Sequence, residues 1–312
     1  MTDDSVDPGE AFRPLGNEVR TRVLTALLEP VGEGEGRGVA PTTKTFSELF
    51  EASGAETTAG FAYHLRQLTD HYLRETDGGY TFTYAGLQIA RAIVSGAYTE
   101  SVDREPVTIP DPCPFCGEVG LRAAVADNTV SVSCHDCGRD VLALPFPPGG
   151  HRTHDDESLP AAFDRLYRHR VALLAGGTCP ECGGRATSRV EYAERGDGAL
   201  DPHPPRLHLA CGACGYTLRC PVTLAVFDHP AVVAFYHDHG VDLRERPIWN
   251  VGREWREAVL SDDPWCVRVS TELEGETLEL LVGRDGTVVE TARHSSPTSE
   301  PATDSAAPST AR

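Results

Sequence analysis

TTAGFAYHLRQLTDHYLRETDGGYTFTY, residues 57–84, holds two patterns in succession. From Thr57 to Leu68 the apolar positions Phe61, Leu65 and Leu68 fall at i, i+4 and i+7, the stripe of a helix that buries one face. The opposite face then carries Thr58, Gly60, Tyr63, Arg66 and Gln67: a hydroxyl, a residue without a side chain, and donors able to reach phosphates or base edges. Directly after it, Tyr80-Thr81-Phe82-Thr83-Tyr84 is β-branched and aromatic and follows Asp77-Gly78-Gly79, so a hairpin turn and a strand are expected.

The flanking segments extend this pattern in both directions. Residues 1–11 read as an acidic, disordered leader. Phe12 to Leu28 sets Leu15, Val19, Val23, Leu24, Leu27 and Leu28 at helical spacing, which predicts a first helix ended by Pro30. GEGEGRG, residues 32–38, reads as a loop. Phe46 to Phe50 opens a short helix with Ser47 as its cap, closed at Ser53-Gly54. Beyond the hairpin, Tyr84 to Ile93 is again helical in period.

The strings FRPLGNEVRTRVLTALLE, FSELFEASG and FAYHLRQLTDHYLRETDGGYTFTYAGLQIARAI resemble the winged helix-turn-helix of ArsR-type transcriptional regulators. More closely, they are similar to halophilic-archaeal regulators in which such a domain precedes a cysteine-rich C-terminal region. The Leu-Gly-Asn-Glu-Val-Arg opening and the Tyr-His-Leu core of the second string's successor helix carry the likeness. It implies that residues 12–100 bind double-stranded DNA as a homodimer. The Thr57–Leu68 helix would lie in the major groove and the Asp77–Tyr84 wing along the backbone or minor groove. Thr58, Gly60, Tyr63, Arg66 and Gln67 would face bases or phosphates, with Arg74 adding a wing-side phosphate contact. The helix before the recognition helix has no cysteine pair, in contrast to metal-sensing members of that family. The other reading of this third of the chain is a winged helix that contacts protein, since fold does not fix function.

Composition bounds these readings. The 312 residues suit two or three domains. Forty-seven acidic against 28 basic residues give a net charge of −19, and Lys44 is the one lysine. Such a field repels nucleic acid at low ionic strength. It is screened within ~3 Å at ~1 M salt, the solvent that this acid-rich, lysine-poor composition suits. The charge is also uneven: residues 1–56 hold eleven acidic and five basic side chains, residues 57–99 three of each. The N-terminus has no apolar segment of a secretion signal, and no apolar run reaches the ~18–20 residues of a membrane span. A cytoplasmic protein with no membrane partner is the expectation.

Eight of the ten cysteines form two quartets of CxxC pairs, each pair followed by glycine. Cys113, Cys116, Cys134 and Cys137 make the first, with seventeen residues between the inner cysteines; Cys179, Cys182, Cys211 and Cys214 make the second, with twenty-eight. A CxxCG knuckle turns both sulfurs toward one point, and two knuckles supply four thiolates to a tetrahedral Zn²⁺. Strand-like segments flank both: Leu121 to Val125 and Thr129 to Ser133 around Asp127-Asn128, then Ala186 to Tyr192 and Arg206 to Ala210 around the loop AERGDGALDPHPP. Two zinc ribbons holding two structural zinc ions are therefore expected, the first over 108–146 and the second, with a linking helix before it, over 158–220. The competing readings are an iron–sulfur cluster and a thioredoxin-like redox pair, for which four CxxC motifs in hairpins are the wrong setting; all-cysteine ligation leaves no open position for catalysis. His135 is read as a bystander, and Cys220 and Cys266 as small buried hydrophobes.

Between the quartets, Ser158 to Ala175 predicts an amphipathic helix capped by Ser158, with Phe163, Leu166, Tyr167, Val171 and Leu174 buried and Arg165, Arg168 and Arg170 on a solvated or phosphate-facing side. Residues 221–293 are read as a helix over Pro230 to His239 and three strands, Cys266 to Thr271, Leu278 to Val282 and Thr287 to Glu290; 294–312 reads as a disordered tail. His229, His237 and His239 do not share a helix face and suit a helix end better than a metal. No nucleophile elbow, P-loop, dinucleotide fingerprint or HExxH motif occurs, so no enzyme is expected. The fold class is α+β: a winged helix-turn-helix, two zinc-ribbon-like modules and a small C-terminal region of antiparallel strands. The function implied is a sequence-specific transcription regulator. The alternatives are an adaptor whose C-terminal region binds another protein of the transcription machinery, and a thiol- or metal-responsive sensor.

Overall fold

A computed structural model describes residues 6–31, 38–69, 71–192 and 204–295. It is a mixed α+β chain in two compact units. Met1–Glu105, Val125–Val130 and Leu144–Asp155 form the first; Pro106–Ala124, Ser131–Ala143 and Asp156–Arg312 form the second.

The first unit opens with α1 (Pro8–Phe12), a 3-10 turn (Arg13–Leu15) and α2 (Glu18–Ala26). The single helix expected over Phe12–Leu28 is thus divided. Pro14 lacks the N–H that would continue the ladder, and Asn17 restarts it by accepting from the Arg20 N–H at 3.2 Å. The expected leader 1–11 is corrected in its second half: Asp7 caps α1, and the Ala11 carbonyl accepts from the Tyr72 hydroxyl. Its first five residues lie outside the described ones. Pro30 does not terminate the helix but sits in β1 (Leu28–Val31), which pairs antiparallel with β2 (Gly38–Pro41). A two-stranded ribbon has only edges, where proline is tolerated. Of the expected GEGEGRG loop, residues 32–37 lie outside the described ones.

Next come α3 (Phe46–Ser53) and α4 (Thr58–Leu68). The cap of α3 is Thr45, not Ser47: its hydroxyl accepts from the Glu48 N–H while the Glu48 carboxylate accepts from the Thr45 N–H, closing a capping box. Gly54 ends the helix in the left-handed conformation at φ 71°. Replacing Thr45 by Ala should cost about 1 kcal/mol of this unit's stability, readable as a lower denaturant midpoint at constant slope; an unchanged midpoint would mean the box contributes nothing.

The hairpin β3 (Leu73–Thr76) and β4 (Gly79–Phe82) leads into α5 (Tyr84–Val94). Lys44 and Tyr80 exchange both backbone hydrogen bonds, at 3.1 and 2.8 Å, which adds a short third edge to the hairpin. Gly79 permits this: its φ is +123°, and a Cβ there would stand 2.3 Å from the Lys44 carbonyl oxygen. Gly86 allows α5 an equally close approach, since a Cβ would meet the Tyr72 carbonyl oxygen at 1.9 Å. One core, Val23, Leu24, Leu27, Leu49, Phe61, Leu65, Leu68, Tyr72, Leu73, Phe82 and Ala90, joins α2 to α5 and the hairpin. Phe61 sits at its centre, 4.8 Å from the Phe46 ring and 5.5 Å from Phe50.

β5 (Arg104–Thr108), β6 (Leu121–Ala126), β7 (Thr129–Cys134) and β8 (Asp140–Pro145) hydrogen-bond in chain order. Asp127 and Asn128, both at positive φ, make the expected turn between β6 and β7. In the first unit the Asn128 amide accepts from the Val102 N–H and donates to the Glu100 carbonyl. There α6 (Pro148–Thr153) is held by Arg152, which pairs with Glu100 at 2.8 Å.

In the second unit, α7 (Leu159–Ala175) packs on β9 (Ala186–Tyr192) and β10 (Pro205–Cys211), the latter flanked by β11 (Thr217–Cys220) in the order β11-β10-β9. The Ser158 side chain does not close the α7 cap as expected. α8 (Val222–Val226) and α9 (Pro230–Asp238) follow, then the antiparallel sheet β12 (Arg256–Asp262), β13 (Trp265–Leu273), β14 (Glu276–Gly283) and β15 (Val288–Ser295). Four strands replace the three expected. β12 is the addition, and β15 runs to Ser295, into the expected tail, because Glu276 pairs with Ser295. The rest of that tail, 296–312, and most of the loop 193–205 lie outside the described residues.

Candidate functional site

Each of the eight paired cysteines belongs to a turn of the same construction. The N–H of the first cysteine donates to the carbonyl five residues on, and the glycine after the second cysteine donates back to the first cysteine's carbonyl. These bonds measure 2.8 and 2.9 Å at Cys113, 2.9 and 2.9 Å at Cys134, 2.9 and 3.0 Å at Cys179, and 2.9 and 3.1 Å at Cys211. The glycines, Gly117, Gly138, Gly183 and Gly215, all lie at φ between 68° and 84°. A side chain would strain that backbone, which is why the pattern is CxxCG each time.

The turns bring the sulfurs together in pairs across each hairpin. Cys113 and Cys137 are 3.9 Å apart and Cys116 and Cys134 3.7 Å; in the second quartet Cys179–Cys214 and Cys182–Cys211 are both 3.6 Å. Within each quartet all four sulfurs lie within 4.8 Å of one another. A tetrahedron with metal–sulfur bonds of ~2.3 Å has edges of about 3.8 Å, so both quartets fit one ion each. Among the described residues these are the metal-capable groups; His135, His229, His237 and His239 join neither. His229 instead accepts from the Ala231 N–H at the start of α9, and the His239 ring contacts the Phe235 carbonyl at 2.7 Å.

Electrostatics say the same of these sites. Burial opposes ionisation of Cys113, yet the N–H groups of Cys116 and Phe115, with the neighbouring thiols, bring it down to about 7. The N–H groups of Cys214 and Ala213 bring Cys211 down to about 7 against burial. Cys116 and Cys214 cannot follow. The Glu118 N–H favours a Cys116 thiolate, but burial and the three thiols around it hold Cys116 up at about 12. The Tyr216 N–H likewise fails to offset Cys182 and the other crowded sulfurs, which hold Cys214 up at about 12. Four thiolates this close need a cation among them.

The surroundings of the two quartets differ. The first is clamped: the Trp249 indole donates to Asp111 at 2.9 Å, the Asn250 amide to the Pro112 carbonyl at 2.8 Å, and the Arg139 guanidinium covers the Phe115 ring. Its outer cysteines, Cys116 and Cys137, are half-buried. Beside the second, Arg170 pairs with Glu181 at 2.6 Å and donates to the Tyr216 hydroxyl, but Cys182 and Cys214 remain exposed. Arg170 is thus fixed within the unit, as is Arg168, which contacts Asp164, the Arg246 carbonyl and the Phe227 ring; Arg165 is exposed. Cys220 is buried, and burial pushes its thiol up to about 12; Cys266 is only half-buried, less than expected.

A family described as a domain of unknown function (DUF7351) matches residues 110–288, more than half of the chain and both quartets. The chain belongs to the DUF7351 family. A second family, also described as a domain of unknown function (DUF7347), matches residues 8–93, from α1 to α5. No curated protein and no solved structure matches the chain. The DUF7351 segment thus contains every cysteine of the quartets, and the α4 surface lies in the DUF7347 segment.

On α4 the expected contact residues Thr58, Gly60, Tyr63, Arg66 and Gln67 are all exposed, as is Arg74 on β3. Phe61, Leu65 and Leu68 are buried beneath them. Tyr63, Arg66 and Gln67, at i, i+3 and i+4, share one face. Gly60 has a local role as well: its N–H donates to the Thr57 hydroxyl that caps α4. The long-range anchors Trp249 and Asn250 escaped the sequence reading, because 138 residues separate them from their partners and neither stands in a motif. No helix among the described residues is long and apolar enough to cross a membrane.

Proposed function

We propose that this chain is a sequence-specific DNA-binding transcription regulator whose DUF7347 segment is a winged helix-turn-helix of the ArsR type. On this reading α4 is the recognition helix, the β3–β4 hairpin with Lys44 is the wing, and the DUF7351 segment is a regulatory or interaction module built on two structural zinc ions. The observation that carries it is the surface of α4. Tyr63 is 52% exposed, and Arg66 and Gln67 stand beside it on a helix whose other side is locked into the core, with exposed Thr58 at its first turn. A tyrosine half in solvent on a short, well-anchored helix, beside a guanidinium and a carboxamide, supplies donors and an aromatic face of the kind that reads base edges and phosphates. The six residues from Thr58 to Arg74 that would touch DNA include no acidic side chain in a chain of net charge −19.

Zinc is the metal that four thiolates in a closed tetrahedral arrangement suit best. Cys113, Cys116, Cys134 and Cys137 would hold one ion and Cys179, Cys182, Cys211 and Cys214 the other, with no open coordination position. A homodimer reading two half-sites follows from the family resemblance. The test is selection of bound sequences from a random duplex library at molar salt, where the protein's own charge is screened. Enrichment of one motif supports the regulator; retention of duplex without any motif contradicts it and favours the adaptor.

A further inference from the structure

We infer that the second cysteine quartet is a site of thiol modification by two-electron oxidants such as hydrogen peroxide, which join Cys182 to Cys214 and expel the metal, while the first quartet keeps its ion. The inference rests on the reading of both quartets as metal centres and adds a difference in reactivity between them.

That difference comes from what surrounds identical ligand sets. Reactivity of a thiolate toward an electrophile follows its accessibility once its charge is set, and the two centres share ligand type, knuckle geometry and sulfur spacing. In the first, both outer cysteines are half-buried residues. A Cβ on Gly117 would meet the Arg253 guanidinium at 2.2 Å, and one on Gly120 would meet the Asp136 carboxylate at 1.9 Å, so side chains press on its turns. Trp249 and Asn250 tie down the residues leading into Cys113. In the second, both outer cysteines are exposed, and Gly183, Gly212 and Gly215 border open space where a Cβ would stand, as Gly138 alone of the knuckle glycines does in the first; Gly184 is the crowded exception, facing Ala213 at 2.9 Å. The inner cysteines, Cys179 and Cys211, are buried residues. An oxidant therefore reaches one sulfur from each knuckle, and those two lie within 4.8 Å of each other.

The chemistry balances with peroxide as the only co-reactant. The Cys214 thiolate attacks one peroxide oxygen, the O–O bond breaks, and hydroxide leaves and is protonated by the buffered solvent, giving a sulfenic acid. The Cys182 thiolate then attacks that sulfur; the S–S bond forms and a second hydroxide leaves, again protonated by solvent. Two thiolates lose two electrons and the peroxide becomes two waters. Cys179 and Cys211 alone are left to hold the ion, too few for a closed thiolate site.

The experiment treats the full, zinc-loaded chain with hydrogen peroxide and follows zinc with a colorimetric chelator, then maps cysteines by differential alkylation and mass spectrometry. One zinc per chain should leave at least about tenfold faster than the other, with Cys182 and Cys214 recovered as one disulfide-linked pair and Cys113, Cys116, Cys134 and Cys137 still alkylatable. Loss of both ions at one rate, first loss from the first quartet, or no loss would overturn the inference and leave the zinc reading standing. A purified chain with no bound metal would remove both together.

Discussion

Stripping metal from the protein with a strong chelator is expected to unfold most of the second unit and spare the helices of the first. The binding free energy of a structural tetrathiolate zinc is about 10–16 kcal/mol in small domains at neutral pH, as large as the stability of a whole domain. Each quartet closes the ends of its strands: Cys134 terminates β7, Cys211 terminates β10, and Cys179 lies just ahead of β9. The first is also joined through Asp111 and Pro112 to Trp249 and Asn250. Without the cation, crowded thiols must protonate or repel, and the hairpins lose their closure. The first unit has its own core of eleven buried residues around Phe61 and no group of metal ligands among its described residues. Circular dichroism should accordingly keep a helical signal while the strand contribution and the near-ultraviolet signal of Trp249, Trp255 and Trp265 fall, with recovery on adding zinc. An unchanged spectrum after complete removal would show that the cysteines pack without needing an ion.

Replacing Tyr63 and Arg66 together by alanine is expected to weaken binding to the selected duplex by ~100-fold, about 2.7 kcal/mol, with little change in thermal stability. Both side chains are exposed on α4, and the core beneath them is supplied by Phe61, Leu65 and Leu68, so truncation leaves no cavity. Arg66 is suited to a bidentate contact with guanine or with phosphate, which lysine would not reproduce. Arg74→Ala, on the hairpin, should weaken all sequences equally and flatten the salt dependence by about one counterion. Equal affinity of the double variant and the parent would mean that α4 does not enter the groove.

Some of this was written plainly in the chain. The α4 stripe, the hairpin at Asp77-Gly78-Gly79 and the grouping of eight cysteines into two quartets follow from short-range rules, in which helical period, turn glycines and CxxCG spacing act within a few residues. The α3 cap shows the limit of such rules: Thr45 and Ser47 are both good capping residues, and Glu48, three residues after Thr45, was the signal that decides between them. β1 was hidden because Pro30 reads as a helix stop in either case, and only its pairing partner at residues 38–41 makes it a strand. β12 is half-exposed along much of its length and takes its conformation from β13. The roles of Arg168 and Arg170 were hidden for a related reason: a basic residue on a helix looks solvated until the elements carrying Glu181, Tyr216 and the Arg246 carbonyl fold against it.

The proposed role of α4 is to read DNA with its exposed face. Mapping where the native protein sits on its own genome, for the parent and for the Tyr63→Ala/Arg66→Ala double variant, tests this most directly. Discrete sites sharing one motif that disappear in the folded, metal-replete double variant are the predicted result. Sites that persist in that variant, or occupancy without a common motif, would contradict it.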